Sequence, residues 1–146
     1  MENAFEQTGA IVAAIRRALP TGEREQKAAQ LPALNLAFIG DTVFDLYVRP
    51  LLVTQADATV HELHLMSAKR VCAKGQAEGF RKIEPLLDDE EMGVYKRGRN
   101  SHLGTVAKNA TISDYRTATG LETLIGYLYL NGRDERLTEL MKLILE

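Results

Sequence analysis

Apolar residues recur along this chain at spacings of three and four, and no stretch alternates apolar with polar residues long enough to demand a strand. The pattern predicts helices joined by short turns. A first helix over about 3–19 carries Phe5, Ile11, Val12, Ile15 and Leu19 on one stripe and stops at Pro20-Thr21-Gly22. Residues 23–30 are polar and helix-prone. A second helix over about 33–48 starts after Leu31-Pro32, and Pro50 marks its end. A long third helix covers about 57–81, with Asp57 or Thr59 as its cap and Val60, Leu63, Met66, Val71 and Ala77 on its stripe. Short helical turns follow at 83–87 and 90–97, the latter stopped by Gly98, and 98–111 is the longest irregular stretch. "SDY" at 113–115 opens a helix that ends at Asn131-Gly132. The last helix, about 134–145, sets Leu137, Leu140, Met141 and Ile144 on one face.

Two of these helices hold acids among apolar residues. "LNLAFIGDTVFDLYV" at 34–48 places Asp41 and Asp45 one turn apart, on one face. "GLETLIGYLYL" surrounds Glu122 with Leu121, Leu124, Ile125, Leu128 and Leu130. Each helix also contains a glycine, Gly40 and Gly126, where glycine costs about 1 kcal/mol relative to alanine. The expectation is that the helices cross at these glycines and bring Asp41 and Glu122 together. Acids converging in an apolar pocket repel one another, and a hard divalent cation such as Mg²⁺ relieves both the repulsion and the burial. Such a site suits phosphodiester hydrolysis. The alternative is that Asp41 and Asp45 lie at the solvent edge as cap or salt-bridge residues.

Charge sharpens this picture once its distribution is considered. The chain has a net charge of −2, with 45% apolar and 26% charged residues, an ordinary globular balance. Yet "KRGRNSHLGTVAKNATISDYR" at 96–116 holds Lys96, Arg97, Arg99, Lys108 and Arg116 against a single acid, Asp114. Arginines fork onto phosphates, while Asn100, Ser101, Thr105 and Asn109 can donate to phosphate or sugar oxygens. Few aromatics interleave, which fits recognition of a duplex backbone better than stacking on splayed bases. Taken alone, the segment is equally a solvated basic loop.

The remaining chemistry is sparse. Cys72 is the only cysteine, which excludes an intramolecular disulfide, and it reads as a small core residue. His61 and His64 in "HELH" lack the further ligands a zinc site needs, and His102 is distant in sequence. No phosphate loop or dinucleotide fingerprint occurs, so no small-molecule cofactor is expected. No apolar run reaches a membrane span, and the N-terminus puts acids first and basic residues late, the reverse of a secretory signal. A cytoplasmic protein is expected.

"LAFIGDTVFDLYVR", "YKRGRNSHLGTVAKN" and "YRTATGLETLIGYLYLNG" together resemble the catalytic domain of ribonuclease III, and most of all the short branch called Mini-ribonuclease III, which lacks a separate double-stranded-RNA-binding domain. The similarity covers about residues 30–133. It implies an all-α, single-domain endonuclease fold over 23–146, with residues 1–22 as an unassigned N-terminal helical extension. It implies a homodimer that cleaves double-stranded RNA with Mg²⁺, and a role in maturing the precursor ends of large ribosomal RNA. By the same resemblance Asp41 and Glu122 fall on catalytic metal ligands, and Asp45 on an acid that supports the metal indirectly. Arg97, Arg99, Asn100, Lys108, Asn109 and Arg116 are then the RNA-binding residues. The larger ribonucleases III carry further acids where this chain has Ala37 and Thr119, which puts the number of metals in question. A catalytically silent RNA-binding or ribosome-associated module on the same fold is the rival reading, and a protein-interaction domain with no RNA role is a third. The apolar residues of the helix at 33–48 are too many for one stripe, which makes that helix a candidate for the dimer interface.

Overall fold

The computed structural model describes residues 2–18, 28–101 and 111–146, and those residues form helices and turns with no strand among them. The helices are α1 (Glu2–Ala18), α2 (Ala33–Gln55), α3 (Val60–Val71), α4 (Ala73–Ile83), α5 (Asp89–Arg99), α6 (Ile112–Leu130) and α7 (Asp134–Leu145), with a 3-10 turn at Glu84–Leu86. The segment at 102–110, with most of the irregular stretch expected at 98–111, lies outside the described residues.

Helix α6 occupies the middle of the structure. It buries eleven residues, from Ala118 to Leu130, because it is apolar on nearly every side. Helix α2 lies along it in the largest helix–helix contact, and α5, α4, α7 and α1 pack around the pair. Phe44, Tyr47 and Val48 of α2, Leu121, Leu124 and Leu128 of α6, and Leu137, Leu140 and Met141 of α7 are all within 2% of full burial. The turn into α7 needs Gly132 at φ 69°, a left-handed conformation that glycine adopts without penalty.

Four expectations are corrected. Helix α2 does not stop near Val48 but runs through Pro50 to Gln55. Leu51 and Leu52 are 3% and 5% exposed, so tertiary packing offsets the hydrogen bond that proline cannot donate. The long helix expected at 57–81 is two helices, broken at Cys72, whose ψ of 161° is extended. That residue is exposed rather than buried. Its Sγ accepts a hydrogen bond from Gly75 N at 3.4 Å, so it caps α4 instead of filling the core. On α1 the buried stripe is rotated from the one the apolar residues suggested. Phe5, Thr8, Val12 and Arg16 face inward, while Ile11 and Ile15 are 54% and 42% exposed. Arg16, 7% exposed, lies on the buried face, where it pairs with Asp134 at the start of α7 and also donates to Tyr129 O.

Candidate active site

Asp41 and Glu122 meet where α2 crosses α6. The crossing is close because neither helix has a side chain at the contact point. A Cβ on Gly40 would collide with the carbonyl oxygen of Glu122 and stand 3.0 Å from Gly126 N. A Cβ on Gly126 would collide with the carbonyl oxygen of Leu36 and stand 3.2 Å from Gly40 N. The two backbones touch at the crossing expected from the sequence. Thr123, fully buried, sits at the crossing: its Oγ1 lies 2.8 Å from Thr119 O on its own helix and 3.3 Å from Ala33 O on α2, the contact that spans the two. Asp41 follows Gly40 on α2 and is exposed, at the solvent edge as the alternative had it, and the crossing sets its carboxylate beside that of the half-buried Glu122.

The electrostatics of this pair are unfavourable for the bare protein. Burial, above all, pushes the Glu122 carboxyl up from its ordinary value of 4.5 to about 7, and the neighbouring Asp41 pushes it in the same direction. A hydrogen bond from Gln76 Nε2 to Glu122 Oε1, 3.1 Å long, opposes the shift. Neither Asp41 nor Glu122 has a basic partner among the ion pairs of the described residues. The fold has therefore placed two acids together with no basic side chain paired to either among the described residues. A divalent cation with oxygen ligands fits that donor set. Among the described residues no group of three or more potential ligands exists, so those residues offer two carboxylates, and the remaining positions of an ion held there would be open to water or substrate.

The other expected residues are placed as follows. Asp45, one turn beyond Asp41, is held by Arg49 Nε at 3.1 Å, the salt-bridge alternative, and joins no cluster with the pair. Ala37 is buried and Thr119 directs its hydroxyl to Tyr115 O at 3.0 Å, so both positions that resemble acid positions of larger proteins are closed by satisfied, uncharged side chains. Arg97 donates to Ala29 O at 2.9 Å and Leu31 O at 2.6 Å, tying α5 to the turn that precedes α2. Arg99 lies over the Tyr95 ring, 5.7 Å from its centroid, and donates to Asn100 Oδ1 at 3.1 Å. Asn100 and Arg116 are exposed. Lys108 and Asn109 lie outside the described residues. His61 and His64 are exposed on α3. Sequence reasoning missed Gln76. Its signal was a lone uncharged polar residue in "GQAEGF", on the stripe with Ala77, Phe80 and Ile83 that α4 buries.

The sequence and fold of this chain have counterparts among known proteins. The family model described as the Ribonuclease III domain matches residues 34–133. Mini-ribonuclease 3 of Clostridium tetani is 46% identical over 122 residues, covering 83% of this chain and 81% of that protein. Mini-ribonuclease 3 of Staphylococcus aureus is 42% identical over 117 residues, covering 79% and 87%. A crystal structure of a protein from Fusobacterium nucleatum superposes with a TM-score of 0.71 at 30% identity, over 77% of this chain and 90% of that one. The chain belongs to the ribonuclease III family of endoribonucleases, in its Mini-ribonuclease 3 branch. The matched region includes both acids of the crossing and leaves α1 outside it.

Proposed function

We propose that this protein is a Mg²⁺-dependent endoribonuclease that cleaves double-stranded RNA as a homodimer and trims precursor ends of large ribosomal RNA in the cytoplasm. The observation that carries the reading is the juxtaposition of Asp41 and Glu122, with Glu122 raised to about 7 and no basic side chain among the described residues to neutralise the pair. These two carboxylates would hold the ion. When bound there, it supplies an acidified water and positive charge beside the phosphodiester.

The chain's own residues do the rest. The glycine crossing holds the acids on two helices rather than on loops, which limits their freedom to drift. Arg99, Asn100, Lys108, Asn109 and Arg116 lie in the segment that positions the duplex, while Arg97 contributes chiefly by fixing the entry to α2. On α2, Phe38 is 81% exposed and Leu34 41%, an apolar surface that a second copy would cover. Among the described residues no helix is long and apolar enough to cross a membrane.

Incubation with a structured precursor of large ribosomal RNA, with and without Mg²⁺, tests the reading. Wild type should cut only with the metal, and Asp41→Asn should lose cutting while keeping RNA binding. The closure of two acid positions by Ala37 and Thr119 favours the second reading, a silent RNA-binding module. RNA bound by both proteins but cut by neither would select that module.

A further inference from the structure

Gln76 is 1% exposed, on a helix that buries Ala77, Gly79, Phe80 and Ile83 around it. A buried amide costs free energy unless its hydrogen bonds are made, so its position is informative. It does not cap a helix. It donates from Nε2 to Glu122 Oε1 at 3.1 Å, joining two helices far apart in sequence. Helix α4 is a firm base for this contact: Phe80, one turn later, stacks on Tyr95 with ring centroids 3.9 Å apart.

We propose that Gln76 is a positioning residue for the divalent cation: its amide holds one oxygen of the Glu122 carboxylate, leaving the second oxygen and the full negative charge for an ion shared with Asp41. This rests on the reading of Asp41 and Glu122 as metal ligands. The choice of side chain follows from what the alternatives would do. A lysine or arginine would fix Glu122 equally well, but its charge would neutralise the carboxylate and compete with the ion. An apolar residue would leave the carboxylate free to rotate and unaided in its burial. A neutral donor restrains the ligand without discharging it. Partners of this kind, which hold a ligand by hydrogen bonding, change metal affinity by roughly 10–100-fold when removed.

The test is a calorimetric titration of the full chain with Mn²⁺, without RNA, at neutral pH. It is paired with duplex-RNA binding and thermal melting in EDTA. Gln76→Met keeps the length and removes the donor. It should weaken Mn²⁺ binding roughly 10–100-fold, with duplex affinity in EDTA unchanged and melting within a few degrees of wild type. Gln76→Lys puts a cation against Glu122. It should abolish Mn²⁺ binding while raising the melting temperature in EDTA, an outcome that loss of packing would not produce. A Met variant that binds Mn²⁺ as tightly as wild type, or a Lys variant that still binds it, overturns the proposal. If the Met variant does not fold, the Lys variant decides. If neither folds, the amide serves the core rather than the ligand and the proposal falls. Wild type that binds no Mn²⁺ would instead sink the assignment of the acid pair itself.

Discussion

Replacing Glu122 by glutamine should make the metal-free protein more stable at pH 8 and leave it unchanged at pH 4.5. The carboxyl ionises near 4.5 in the unfolded chain and near 7 in the fold. Between those values the folded protein holds a proton that the unfolded one has released. Stability therefore falls as pH rises through that window, and levels off above it with the full penalty in place. At about 1.4 kcal/mol per pH unit the ceiling is about 3 kcal/mol. Glu122 is only partly buried and water screens its charge, so roughly 1–3 kcal/mol is the working figure. Glutamine keeps the shape and still accepts the hydrogen bond from Gln76 Nε2, but carries no charge. For a domain of this size about 1 kcal/mol moves the melting temperature by about 3 °C, so Glu122→Gln should melt roughly 3–9 °C higher at pH 8.

The assay is thermal melting of both proteins in EDTA at pH 4.5 and pH 8. Its signal is the difference between the two differences. Glu90 and Glu91 also titrate abnormally, both held below the usual range by hydrogen bonds, Glu90 by Tyr127 and Arg133 and Glu91 by Arg136. Those contributions are common to both proteins and cancel. A divalent cation added at pH 8 should then raise the melting temperature of wild type and not of the variant, because only wild type gains from binding in the folded state. Equal shifts at the two pH values, or a variant less stable than wild type at pH 8, would refute the reasoning.

Three further outcomes follow from the same geometry. Duplex-RNA affinity, measured by fluorescence anisotropy without metal, should fall steeply with salt, by roughly 0.7–0.9 log units per phosphate contact for each tenfold increase in salt concentration; a flat response would remove the basic segment from the interface. Phe38→Asp, at a position 81% exposed, should leave the monomer folded by circular dichroism but shift sedimentation from dimer to monomer; an unchanged species would place the interface elsewhere. Gly40→Ala should cost about 3 kcal/mol or more in chemical denaturation, since its methyl group meets backbone on α6 rather than a side chain that could move; a cost below about 1 kcal/mol would mean that the crossing yields.

The parts of the site that were readable in the sequence are those where a local rule is broken. Asp41 and Glu122 stood out because acids rarely sit within apolar helices, and Gly40 and Gly126 because glycine weakens a helix it does not serve. Together they located a crossing between helices 81 residues apart, which the structure contains. What was unreadable depended on partners from elsewhere. Pro50 looked like a stop because the burial of Leu51 and Leu52, which outweighs it, is tertiary. Arg97 looked like a phosphate ligand because nothing local shows that the carbonyls of Ala29 and Leu31 lie within its reach. The stripe expected on α1 was misplaced because nothing local shows that Arg16 reaches Asp134 and Tyr129 O.

Among the described residues the candidate site gathers two acids. The close approach at the glycines brings the backbones that carry Asp41 and Glu122 together, and the adjoining turns present a buried methyl at Ala37 and a bonded hydroxyl at Thr119, neither of them charged. On the proposed reading, two carboxylates balance the charge of one divalent ion. A base beside Glu122 would upset that balance by taking the ion's place. The buried residue that does reach Glu122 is uncharged, which is what such a balance requires of position 76.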